Sequence, residues 1–179
     1  MNYKGIRPAF TIVAASAVGA LAVFAGSGAA ASSGGALHAS AQIIDPSGNP
    51  VGSAKFTEDA TGTVHVNVKV SGLSAGLHGI HIHAVGACSP TFGAAGSHHN
   101  PTLDPHGSHS GDLPNLIVNS AGEGRLNARS DHFTLSPGPV SVFDFDGSAI
   151  VIHVNPDDFV TQPTGNSGGR VACGVLVAT

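Results

Sequence analysis

The sequence predicts an all-β fold, an eight-stranded Greek-key β-sandwich or barrel carrying two long functional loops, and three observations lead there. Residues 63 to 70, Thr-Val-His-Val-Asn-Val-Lys-Val, set valines at every second position against His65, Asn67 and Lys69, the period of a strand with one buried face. Gly and Pro are abundant, at 25 and 11 of 179 residues, while aromatics make up only 5%, so turns are many and the core is built from small and branched side chains. No helical period is found beyond the N-terminal segment.

The N-terminal stretch reads as an address. Met1 to Arg7 is short and basic, Phe10 to Phe24 is apolar, and Ala29-Ala30-Ala31 has the small residues that precede a signal cleavage site, so residues 1–31 are expected to be a cleaved secretory signal. A retained membrane anchor is the alternative, and the Ala, Gly, Ser and Val composition argues against it. Residues 32–36 then form a flexible linker, Ser-Ser-Gly-Gly-Ala, before one folded domain over residues 37–179. Within that domain β-type runs occur at Leu37 to Ile44, Thr63 to Val70, Ile80 to His83, Leu116 to Val118, Ala149 to Val154 and Val171 to Val177, separated by Gly, Pro, Asn and Ser. Cys88 to Leu113 and Asn155 to Gly169 read as long loops. Loops of that length inside a compact domain carry function or are tied down by a metal or a disulfide.

Charge excludes one class of partner at this level. The formal charge of −4 becomes −6 once Lys4 and Arg7 are set aside with the signal. Lys55, Lys69, Arg125, Arg129 and Arg170 are then the permanent cations, too few and too scattered along the chain for a phosphate-tracking patch, so nucleic acid is not an expected partner. The same reading expects no stable membrane association once the signal is removed. It places the mature protein outside the cytoplasm, as a periplasmic, cell-wall or secreted protein. In such an oxidising compartment Cys88 and Cys173, the two cysteines of the chain, are best read as a disulfide, with two buried free thiols as the weaker alternative.

Histidine is the outlier, with 11 copies in a chain that has one Tyr and no Trp. On a strand, His81 and His83 project from one face while Ile82 points to the core, which gives two imidazoles side by side, half of a copper site. His78 fits equally as a satisfied core histidine. His98, His106, His109 and Asp112 fall within fifteen residues of one loop and make a His3Asp set suited to zinc, a solvated His-rich loop being the other reading. His153 ends the apolar run Ala-Ile-Val-Ile, where an unpaired buried imidazole would be costly, and is a candidate third copper ligand.

Five motifs in order then carry a family resemblance: Gly-Leu-His-Gly-Ile-His-Ile-His at 76–83, Gly-Ser-His-His-Asn-Pro at 96–101, His-Gly-Ser-His-Ser-Gly-Asp-Leu at 106–113, Val-Ile-His at 151–153 and Gly-Gly-Arg-Val-Ala-Cys-Gly-Val at 168–175. The chain resembles the copper/zinc superoxide dismutases. The resemblance implies copper held by His81, His83, His98 and His153, and zinc held by His98, His106, His109 and Asp112, with His98 shared between them. It implies a Cys88–Cys173 bridge, a cation at Arg170 that attracts superoxide, and a proton-handling role for His98. Asp157 matches a carboxylate bonded to His81 and His106, where the bland alternative is a loop acid beside Asp158. The loop between His106 and His109 is shorter than in many animal members, and Pro163-Thr164 stands where many eukaryotic members carry a guiding lysine. His99, at a position where an aromatic is common, is expected to face solvent, and His38, His65 and His132 match no ligand. A homodimer is left open.

Two further readings stand beside the enzyme. One is an exported copper-binding or copper-delivery module with the same fold and little turnover, and the other is a domain that its metals only stabilise. Arg170 favours the dismutase, since a storage site has no use for a cation placed to meet a small anion.

Overall fold

The computed structural model describes residues 37–179, so the segments read as signal and linker, 1–31 and 32–36, lie outside the described residues. Ten strands and one short 3-10 helix, Phe92–Ala95, make up the regular structure there. The strands are β1 (Leu37–Ile44), β2 (Pro50–Glu58), β3 (Val64–Val70), β4 (Gly76–His78), β5 (Ile80–His83), β6 (Leu116–Val118), β7 (Gly124–Ser130), β8 (Ala149–His153), β9 (Arg170–Val175) and β10 (Val177–Ala178). Two interruptions of one residue explain the excess over eight. Gly79 separates β4 from β5 and Leu176 separates β9 from β10, so the chain makes eight passes.

The sheet order is β4-β6-β7-β3-β2-β1-β9-β8-β5, with every pairing antiparallel. The continuous stretch 76–83 stands at both ends of that order, its first half against β6 and its second half against β8. The sheet therefore curls back on itself into a nearly closed barrel, which leaves few strand edges unpaired. Pairing of β3 with β7, and of β8 with β9 and β5, requires two crossing connections, 71–75 and 131–148, which are the Greek-key crossovers.

Alternation drives the packing. Val64, Val66, Val68 and Val70 are all buried, as are Ile43, Phe56, Ile80, Ile82, Ile150 and Ile152, and together they fill the barrel. Burying a valine or isoleucine side chain stabilises by about 1.5–3 kcal/mol. The outward positions of β2, β3 and β7 carry Lys55, Lys69, Arg125 and Arg129, all exposed, so cations scattered in the chain are gathered on one sheet face.

Three strands, β2, β4 and β7, were not expected. β2 opens with Pro-Val-Gly-Ser and β7 is Gly-Arg-Leu-Asn-Ala-Arg-Ser, so Leu126 is the one large apolar side chain on the inner face of β7. Small inward residues, Ala54 in β2 and Gly124 in β7, suit the curvature but blur the alternation a reader looks for. Connection 131–148 is a third long loop, anchored by a buried carboxylate. Glu58 at the end of β2 accepts hydrogen bonds from the backbone N–H groups of Leu135 and Ser136 and from the Ser136 hydroxyl.

Removing that acceptor leaves two backbone donors without a partner, each costing about 1–3 kcal/mol. Glu58→Ala is therefore expected to lower the unfolding free energy in urea by about 2–4 kcal/mol. A loss below about 0.5 kcal/mol, the scale of a neutral surface change, would contradict the anchoring role.

Candidate metal centre

β5 lies wholly buried and sets His81 and His83 on one face, with Ile82 in the barrel core. The backbone of the long first loop runs beside it: Ile82 N–H donates to Gly111 O, His99 N–H donates to Ile82 O, and Ala84 N–H donates to Ser97 O. This pairing puts His98 opposite His83 and Asp112 opposite His81. His153 comes from the end of β8, the strand next to β5, with Arg170 as its register partner on β9.

Two groups of side chains result. His81, His83, His98 and His153 each offer a ring nitrogen within 4.8 Å of the others, and so do His98, His106 and His109 with a carboxylate oxygen of Asp112. His98 belongs to both. All seven residues are buried or nearly so.

The hydrogen bonds settle which nitrogen each ring presents. His81 Nε2–H donates to Asp157 Oδ2 at 2.6 Å and His106 Nε2–H donates to Asp157 Oδ1 at 2.8 Å, so each ring turns its bare Nδ1 inward. His83 Nδ1–H donates to Gly96 O and His153 Nδ1–H donates to Gly168 O, which leaves Nε2 of both facing the first group, 3.4 Å apart. His81 Nδ1 and His98 Nε2 are buried with no hydrogen-bond partner among the described residues. A buried imidazole lone pair without a partner is costly, and an electrophile in that position removes the cost. The first group therefore fits copper, a metal at home with imidazoles.

The second group fits zinc by its dimensions. Four ligand atoms about 2.0–2.1 Å from one tetrahedral ion lie about 3.3–3.4 Å from one another. Here His109 Nδ1 lies 3.3 Å from His98 Nδ1 and 3.5 Å from His106 Nδ1, while oxygens of Asp112 lie 3.0, 3.4 and 3.4 Å from the Nδ1 atoms of His98, His106 and His109.

Asp157 joins the two groups. Burial acts most strongly on its carboxyl and would raise its pKa, but the bonds from His81 and His106 and from the Phe159 amide outweigh that and hold it ionised. Its backbone is clasped by Asn115, whose amide group donates to Asp157 O and accepts from Asp157 N–H. Gly165 makes room for it. With φ at 60° and a hypothetical Cβ only 1.8 Å from Asp157 Oδ1, that position admits no side chain.

Arg170 is half-buried and tied down. Its Nη1 and Nη2 donate to the carbonyls of Phe92 and Gly96, the latter also holding His83. It lines a cleft of 540 Å³ together with His83, His98 and His153, and the exposed Asp144 and Asp146 line the same cleft. The Cys88–Cys173 disulfide, with Cα atoms 5.9 Å apart, fastens the start of this loop to β9.

Two histidines differ in role. His99 does not face solvent: it is 2% exposed, directed at Val140 O at 3.3 Å, because the loop backbone on both sides of it is paired with β5 and Gly111. His78 is a core histidine, its Nδ1–H donating to His153 O and its Nε2 lying beside the hydroxyl and carbonyl of Ser74. His38, His65 and His132 lie away from the metal groups, on β1, on β3 and beside Asp131. Asn115, Gly165 and the carbonyls of Gly96 and Gly168 escaped sequence reasoning, since an ordinary Asn or Gly carries no signal of a partner distant in the chain.

The geometry defines a class, a Greek-key β-barrel with a two-metal histidine centre built on its loops. Residues 51–176 match the copper/zinc superoxide dismutase family, and this chain belongs to it. It is 41% identical over 156 residues to a Cu-Zn superoxide dismutase of Deinococcus radiodurans, covering 77% of this chain and 83% of that one. A Cu-Zn superoxide dismutase of Mesembryanthemum crystallinum is 36% identical over 146 residues, or 75% of this chain and 91% of the other. The crystal structure of a SOD-like protein from Bacillus subtilis superposes with a TM-score of 0.73 at 33% identity, covering 77% and 97% of the two chains.

Burial, first among the causes, drives the His83 pKa down to about 2 and the His153 pKa to about 4, from an ordinary value of 6.5. The unfolded chain takes up those protons below pH 6.5 while the folded metal-free chain refuses them. Stability is thus fully present above that pH and is lost as pH falls through the window. The metal-free protein is expected to show a urea midpoint that drops steadily from pH 6.5 to about 4. A midpoint that is flat or rising across that window would contradict the neutral, buried state of these rings.

Proposed function

We propose that this chain converts superoxide to oxygen and hydrogen peroxide at a copper site joined through His98 to a structural zinc. The observation that carries the reading is the shared ring: His98 offers Nε2 to one group and Nδ1 to the other, and the first group opens on a cleft with a fixed cation. Copper when bound supplies one-electron chemistry in both directions, and zinc supplies a redox-inert anchor.

The chain's own residues do the rest. Arg170, held by the Phe92 and Gly96 carbonyls, binds and orients the anion beside His83 and His153. His98 holds a proton at Nε2 between the two half-reactions and delivers it to the departing peroxide. Asp157 keeps His81 and His106 in the tautomers the two sites need. Asp144 and Asp146 line the same cleft, so Arg170 works against a local negative field as well as the net charge.

Export to the periplasm, cell wall or medium belongs to the same proposal. The basic, apolar and small-residue order of residues 1–31 supports it, as does a disulfide, which persists in oxidising compartments.

Arg170→Ala is expected to keep one copper and one zinc per chain by elemental analysis while slowing superoxide consumption about tenfold, equivalent to about 1.4 kcal/mol. Arg170→Lys, which keeps the charge and loses the planar fork, is expected to fall between the two. Unchanged turnover in Arg170→Ala at low salt would overturn the role of Arg170 and favour copper carriage without fast turnover.

A further inference from the structure

Of the seven Lys and Arg residues, Lys4 and Arg7 precede the described residues, and four of the remaining five share one surface. The outward residues of β2, β3 and β7 align in cross-strand rows. Ser53, Lys69 and Arg125 form one row, Lys55, Asn67 and Asn127 the next, and Thr57, His65 and Arg129 the third. With strands about 4.8 Å apart and about 6.8 Å between rows, the four cations fit a patch of about 10 by 14 Å. No acidic residue occupies an outward position of these rows, although the chain has 11 Asp and Glu against 7 Lys and Arg.

Two observations set this face apart from an ordinary solvated sheet. Lys69 and Arg125 are direct register partners, and like charges in that position destabilise a sheet. Among the described residues none of the four cations lies within 4.0 Å of a carboxylate, and the nearest acids sit at the hairpin ends. Asp59 is bonded to Thr61 and His65, and Glu123 to Asn119. No ion pair offsets the repulsion between Lys69 and Arg125, which a bound anion would relieve.

We propose that this face docks a linear acidic polysaccharide. Its cations meet the negative charges along the polymer. The side-chain amides of Asn67 and Asn127, joined to each other at the centre, and the hydroxyls of Ser53 and Thr57 meet sugar hydroxyls. The outward positions of β2, β3 and β7 carry no Phe, Tyr or Trp on which unpaired bases stack and no large apolar side chain, and the exposed Ile117 of β6 and Leu77 of β4, next in line from Arg125, lie at the edge of the patch. In the sheet order β1 and β9 stand between β2 and β8, and β6 and β4 between β7 and β5, so docking leaves the cleft free.

The test measures binding of the metal-loaded protein to dextran sulfate, with neutral dextran, a 20-base-pair DNA duplex and vesicles containing acidic lipid as comparisons. Dextran sulfate is expected to bind at least tenfold tighter than any of the three. Replacing Lys55, Lys69, Arg125 and Arg129 together with Gln is expected to weaken that binding at least tenfold at low salt and flatten its salt dependence. The replacement should leave superoxide consumption unchanged at salt high enough to screen the added negative charge, and the melting temperature equal or higher, since the Lys69 and Arg125 repulsion is gone. Arg125→Gln alone, which removes one charge, is expected to weaken binding by a smaller factor. Equal or tighter binding of DNA or vesicles, or undiminished dextran sulfate binding in the fourfold variant, would overturn the proposal.

Discussion

One buried carboxylate holds the centre together. Asp157 accepts from His81 on one oxygen and from His106 on the other, and by taking both Nε2 protons it turns both Nδ1 atoms toward the ligand groups. These two rings belong to different groups, so a single acid orients a ligand in each. Without it either ring could present its protonated nitrogen, and the group would lose an acceptor for metal. The surroundings of Asp157 answer to this need: Asn115 clasps its backbone on both sides, and Gly165 leaves its Oδ1 the space that any side chain would take.

The barrel supplies what the loops cannot make alone. β5 and β8 carry His81, His83 and His153 on rigid paired strands, whereas His98, His106, His109 and Asp112 lie on a loop with no core of its own. That loop is fixed at three places, by backbone pairing along β5, by the disulfide to β9, and by Arg170 gripping the carbonyls of Phe92 and Gly96. Closing a loop of 85 residues stabilises by about 4–5 kcal/mol in the chain-entropy account. The grip on Gly96 O matters twice, because the same oxygen holds His83. Arg170 and a ring of the first ligand group thus share one support.

Much of this was legible in the sequence, for a physical reason. Residues able to hold a metal are chemically conspicuous, so the spacing of His81, His83, His98, His106, His109, Asp112 and His153, which the fold brings into two groups, survives as a pattern even where secondary structure is irregular. Strands with strong alternation, β3 above all, were equally plain. β2 and β7 were not, because a barrel that curves tightly puts Ala54 and Gly124 on its inner face, and such residues carry no period. His99 misled because a histidine beside a ligand on a polar loop looks solvated, yet pairing of its backbone with Ile82 and Gly111 draws it inside. Positions such as Asn115 and Gly165 become meaningful only once folding brings them to Asp157.

The central claim is that one carboxylate sets both metal sites, and metal affinity in Asp157→Asn tests it most directly. Competition titrations with chelators would follow copper and zinc separately, with Asp158→Asn, an exposed neighbour, as the control. The account predicts that Asp157→Asn weakens both metals, each by about 10–100-fold, while Asp158→Asn changes neither. Loss at one site with the other intact, or no loss at either, would contradict it.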